Sequence, residues 1–125
     1  MSGGRTIERL QDNVRRFADA RAWGEFHTPK NLAMALAIEA AELMEHFQWL
    51  TPAESAALPA ATKREVAQEI ADVLIYLVRL SDVLGIDALS AAFSKLPVNA
   101  RKYPVARARR SAVKYSRRGR ARHPL

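Results

Sequence analysis

A chain of 125 residues without cysteine has room for one folded domain and excludes both a disulfide scaffold and a thiolate metal site. Its net charge of +7 is unevenly placed: residues 1–100 hold 10 basic and 13 acidic side chains, and residues 101–125 hold 10 basic side chains and no acid. Any nucleic-acid binding therefore belongs to the tail and not to the body. No apolar run approaches the roughly 20 residues of a membrane span, and the start, MSGGRTIERL, lacks a signal-peptide apolar region, so a soluble cytoplasmic protein is expected.

The apolar spacing of Ile7, Leu10, Val14, Phe17 and Ala18 predicts a helix over about 6–23, with Thr6 as N-cap. Gly24 to Pro29 interrupts it, and Thr28-Pro29 supplies a second N-cap with proline at the first helical position. A long helix over 30–49 follows. Thr51-Pro-Ala-Glu54 is a capping-box pattern for a short extra helix, closed by Leu58-Pro59. Thr62-Lys-Arg-Glu65 repeats the capping signal and opens a helix over 62–84, which runs to Gly85 as C-cap. Asp87 caps a shorter helix over 87–96 that stops before Pro97. The pattern is all-α, a four-helix bundle with a basic C-terminal extension.

Two acidic pairs interrupt these apolar runs, Glu39-x-x-Glu42 in AIEAAELMEHF and Glu69-x-x-Asp72 in AQEIADVLIYL. Residues three apart on a helix share a face, so each pair aims two carboxylates at one region. Four clustered carboxylates repel one another unless a cation neutralises them, and all-oxygen ligation suits Mg²⁺ or Mn²⁺ better than zinc. The competing explanation is a solvated face or ion-pair partners, since Glu is common on helix surfaces. Leu36, Ile38, Leu43, Ile70, Val73 and Leu74 surround both pairs and place them beside core-facing stripes. Glu45, Glu65, Asp82 and Asp87 are assigned to surface or capping roles.

The segments FADARAWGEFHTPKNLAMALAIEAAELMEHFQWL, EVAQEIADVLIYLVRLSDVLGID and SKLPVNARKYPV resemble the MazG-like nucleotide pyrophosphohydrolases, in particular their small dCTP pyrophosphatase branch. The likeness spans about residues 7–115, which sets the expected domain at 1–115 and leaves 116–125 as a disordered basic tail. The resemblance implies an all-α MazG-type fold, assembled as a homodimer or homotetramer. It also implies hydrolysis of a nucleoside triphosphate, dCTP or a modified dCTP, to the monophosphate and pyrophosphate. Glu39, Glu42, Glu69 and Asp72 match the family's catalytic Mg²⁺-binding acids, and either Glu39 or Glu42 is a candidate to orient the attacking water. Trp23 and Trp49 match tryptophans of the nucleobase pocket, and Asn99 an asparagine that reads the cytosine edge. Lys95 and Tyr103 match positions that meet the substrate.

One departure is Val14, which stands where mammalian members of the branch place a pocket histidine; it bears on the strictness of cytosine preference. His27 is expected to be a packing residue at the start of the second long helix. Two other classes compete. Residues 101–125 can bind nucleic-acid backbones weakly and nonspecifically, although no recognition motif accompanies them. A di-iron carboxylate bundle requires Glu-x-x-His pairs, which neither acidic pair supplies.

Overall fold

The computed structural model describes residues 4–109. Among these there is no strand, and the elements are all helical: α1 (Ile7–Ala20), a single 3-10 turn (Trp23–Glu25), α2 (Pro29–Glu45), α3 (Pro52–Ser55), α4 (Ala60–Leu84), α5 (Ala88–Lys102) and α6 (Val105–Ala108). It divides into two compact units, Met1–Ile86 and Asp87–Leu125. The expected boundary at 115/116 and the tail 116–125 lie outside the described residues.

Local chemistry sets most helix ends. The Thr6 hydroxyl accepts the Arg9 amide at 3.1 Å, and the Thr28 hydroxyl accepts the Asn31 amide at 3.2 Å behind Pro29. Thr51 and Glu54 form the complete capping box, at 3.1 Å and 2.8 Å. Each such contact satisfies an amide that a helix start otherwise leaves unpaired. The end of α4 is a Schellman turn: Gly85 adopts φ 68°, its amide donates to the Asp82 carbonyl at 3.1 Å, and the Ile86 amide reaches the Ser81 carbonyl at 2.8 Å. Open space surrounds a Cβ built at Gly85, so the left-handed backbone alone calls for glycine there.

Four expected ends differ. Helix α1 stops at Ala20 instead of position 23, because Ala22 takes φ 52° and turns the chain into the 3-10 segment that carries Trp23. Left-handed backbone costs a non-glycine residue about 1–2 kcal/mol. Helix α2 ends at Glu45 and gives way to turns through Leu50, so Trp49 is not helical. Helix α4 begins at Ala60, with Pro59 as the cap residue; Thr62 lies inside the first turn and caps nothing. Helix α5 passes through Pro97 to Lys102. Proline removes one i→i−4 bond, but its fixed φ is helical, and Arg101 and Lys102 in the last turn complement the helix dipole.

In the first unit α4 packs along α2 and α1. Ala18, Leu32, Val66 and Val78 are buried, with Leu32 the largest side chain fully enclosed. Contacts of His27 with Arg79, Glu39 with Glu69 and His46 with Glu65 run in opposite directions along the two segments, so α2 and α4 are antiparallel. Ile38, Ile70 and Leu74, expected beside core-facing stripes, are instead 58%, 53% and 40% exposed.

Candidate metal centre

The antiparallel register of α2 and α4 brings the two acidic pairs face to face. Carboxylate oxygens of Glu39, Glu69 and Asp72 lie within 4.8 Å of one another, and Glu42 meets Glu39 from one turn along α2. Glu39 and Glu69 are half-buried and Asp72 is exposed, so the cluster opens to solvent at one side. Burial, followed by the hydrogen bonds of Glu42 and Glu69 and the charges of Glu42 and Asp72, pushes the Glu39 carboxyl up to about 7.

Two buried oxygens, Glu39 Oε2 and Glu69 Oε2, have no hydrogen-bond partner. Buried polar atoms are nearly always satisfied, and orphaned carboxylate oxygens on facing helices mark a place for a cation. The donors are all oxygen, as a hard divalent ion prefers. The residues present therefore fit a Mg²⁺ or Mn²⁺ ion.

The other expected site residues are distributed along the chain. Trp23 lies in the 3-10 turn after α1, 40% exposed, with the edge of Phe17 against it at 5.6 Å and the His27 ring at 5.8 Å. Trp49, in the turns after α2, is 86% exposed. Lys95 and Asn99 are on α5 and Tyr103 is its C-cap, all within the second unit. The basic segment proposed for nucleic-acid contact falls mostly outside the described residues.

A second polar cluster escapes the sequence reading. Arg79 is the one buried charged residue among those described; its Nε donates to His27 Nδ1 at 3.0 Å and its Nη1 lies 3.6 Å from Asp82 Oδ2. Arg15 of α1 grips Asp82 through both carboxylate oxygens, at 2.9 Å and 2.6 Å, and Gln11 adds a bond at 2.9 Å. Asp82 is thus a half-buried anchor tied to α1 and not a free surface acid. The Arg15 hydrogen bonds chiefly, with the charges of Arg15 and Arg79, hold its carboxyl below the ordinary range against the opposing effect of burial. His27, expected to pack at the start of α2, is tied to α4 instead. The available signal was an arginine within the apolar run VLIYLVRL with an acid three residues on.

The helices and this acidic cluster define an all-α protein that gathers carboxylates from two antiparallel helices at one point. The sequence profile of the MazG-like family matches residues 34–117, and the chain belongs to that family. It is 40% identical over 113 residues to dCTP pyrophosphatase 1 of Mus musculus and 41% identical over 114 residues to that of Bos taurus. The alignment covers 89% of this chain and 66% of the mouse protein, so the chain spans just under two thirds of that relative's length. Among solved structures, a pyrophosphatase from Archaeoglobus fulgidus matches with a TM-score of 0.76 and 46% identity, covering 83% of this chain and 97% of that one.

Proposed function

We propose that the protein is a nucleoside triphosphate pyrophosphohydrolase that cleaves dCTP or a modified dCTP to the monophosphate and pyrophosphate, in keeping with the dCTP pyrophosphatase name of its mouse and bovine relatives. The observation that carries the proposal is the pair of orphaned oxygens on Glu39 and Glu69, set beside Asp72 between two antiparallel helices. Glu39, Glu42, Glu69 and Asp72 would hold Mg²⁺, with Mn²⁺ as a substitute. When bound, the ion offsets the phosphate charge and supplies Lewis-acid polarisation at phosphate oxygens.

The side chains have separable tasks. Like-charge crowding leaves the carboxylates poorly neutralised by the protein itself, which favours a multiply charged substrate arriving with its counter-ion. Either Glu39 or Glu42 is proposed to orient the water that attacks phosphorus, in line with departing pyrophosphate. Trp23, 40% exposed, offers a stacking surface for the base, an interaction worth about 1–3 kcal/mol per base. Trp49, Lys95, Asn99 and Tyr103 are proposed substrate contacts on family resemblance alone. Exposed Met34, Ile38, Ile70 and Leu74 on α2 and α4 support a homodimer or homotetramer, which would cover them. Among the described residues no helix is long and apolar enough to cross a membrane, and a cytoplasmic role in keeping the nucleotide pool clean is part of the same proposal.

Product analysis with a panel of nucleoside triphosphates, with and without Mg²⁺, tests the reading. Metal-dependent monophosphate and pyrophosphate from dCTP ahead of other bases is expected. Diphosphate and phosphate as products, or no turnover of any nucleotide, would sink it.

A further inference from the structure

The turn that presents Trp23 is held from two sides. Its own backbone closes through the Phe26 and His27 amides, which donate to the Trp23 carbonyl at 2.9 Å and 3.0 Å. The Asn31 side chain donates to the Phe26 carbonyl at 3.0 Å and ties the turn to the start of α2. Phe17 of α1 meets the indole in an edge-type contact, centroids 5.6 Å apart at an interplanar angle of 70°. The His27 ring lies 5.8 Å from the indole and is tilted 58° to it. His27 reaches the rest of the fold through the Arg79 Nε bond to Nδ1.

That bond specifies the imidazole. An arginine Nε–H can only donate, so Nδ1 must present its lone pair and the ring proton resides on Nε2. Protonating Nδ1 would set N–H against N–H beside a second positive charge, and burial together with the Arg79 charge keeps the His27 pKa below its ordinary value. The charged groups around the ring are Arg79 and Asp82 of α4 and, through Asp82, Arg15 of α1 with Asp12 at 3.8 Å. Asp82 offsets the buried guanidinium and is fixed by Arg15 and Gln11, so the Arg79 fork cannot swing away without breaking contacts to another helix. The strained Ala22 immediately before Trp23 persists because the turn is over-determined in this way.

We infer that Arg79 is a positioning residue for base recognition: through His27 it fixes the angle at which the Trp23 indole meets a nucleobase. The inference rests on the nucleotide reading proposed above. Along α4, ten residues separate Arg79 from Glu69, about 15 Å at 1.5 Å per residue. Arg79 therefore acts at the base end of the substrate and leaves the phosphate end to the acids.

The test is calorimetric binding to the full chain, in Mg²⁺, of two ligands: dCTP, which has a base, and inorganic tripolyphosphate, which has only the phosphates. Arg79→Gln is expected to weaken dCTP about fivefold, the size of one lost hydrogen bond, and to leave tripolyphosphate unchanged. Arg79→Lys retains a charge for Asp82, preserves the fold and gives the same selective loss. In a His27→Ala background, Arg79→Gln has no further effect on dCTP, because the two residues act as one unit. Imidazole ¹⁵N spectra of the free protein supply an independent readout: one Nε2–H tautomer in the wild type, and a raised His27 pKa in Arg79→Gln. Equal weakening of both ligands by Arg79→Lys, no weakening of either, additive effects of His27 and Arg79, or an unmoved His27 spectrum would each overturn the inference. Wild-type protein that binds neither ligand brings down the nucleotide reading and this inference with it, a result distinct from any selective change.

Discussion

Helix α4 carries two polar regions of opposite design. Around Asp72 the charges are alike: Glu39, Glu42, Glu69 and Asp72 converge, and two of their buried oxygens have no partner. Two to three turns further on the charges are paired: Asp82 lies between Arg79 and Arg15, and the His27 Nδ1 lone pair is taken by Arg79. The paired region can stabilise the apo fold, whereas the unpaired one spends stability to hold a site ready for a cation. Within one helical unit, unmet polar demand separates a binding place from a structural anchor more sharply than the presence of charge does.

The largest expected effect breaks the acidic side. Glu39→Gln or Asp72→Asn should lower nucleotide turnover by at least about a hundredfold, since each removes a ligand for the ion that offsets phosphate charge; steady-state pyrophosphate release measures it, and retained turnover would cancel the metal assignment. Next is the paired side. Asp82→Ala strips the buried Arg79 of its counter-charge and should destabilise the fold by about 3 kcal/mol in urea unfolding.

A smaller effect sharpens the contrast through pH. Glu39 rises from an ordinary 4.5 to about 7 in the folded chain, so the fold holds a proton that the unfolded chain has lost across that window. Its contribution is therefore fully present below about pH 4.5 and is lost as pH rises to about 7. His27 works the other way, because its folded pKa lies below the ordinary 6.5 and its contribution is lost as pH falls through that value. The Tm difference between Glu39→Gln and wild type isolates the first term. Without divalent ions the variant should gain a few degrees over wild type between pH 5 and pH 8, and Mg²⁺ should reverse the order. The smallest change is a control outside both regions: Thr51→Ala should cost about 1 kcal/mol through loss of a capping box and leave turnover within twofold.

Features written in a few neighbouring residues were legible in the sequence. The caps at Thr6, Thr28, Thr51 and Asp87 and the glycine at 85 each depend on contacts within about five positions. The two acidic pairs stood out because each places carboxylates three apart inside an apolar run, but the residues alone fitted a solvated face as well as a cation site, and only the facing of α2 and α4 brings them together. The ends of α1 and α5 were not legible: alanine carries no sign that it will adopt a positive φ, and proline at 97 costs one hydrogen bond within a helix otherwise free to continue. The paired network was hidden for a different reason. Arg79 and Asp82 at i,i+3 look like any surface pair, and their meaning depends on Arg15 and Gln11, some seventy positions away in the chain.

The turn at Gly85 has a consequence for how this chain tolerates change in length. Helix α4 completes its last carbonyls with the Gly85 and Ile86 amides, and α5 begins with the Asp87 carboxylate accepting the Ser90 amide at 3.0 Å. Both helix ends are self-sufficient within a link of three residues, Gly85 to Asp87. Extra residues placed between Ile86 and Asp87 would leave every capping bond in place and add only the slowly growing entropy of a longer connection. In lineages that alter this protein, insertions should collect at this joint before they collect in the loop of Trp23, where each backbone bond depends on the next.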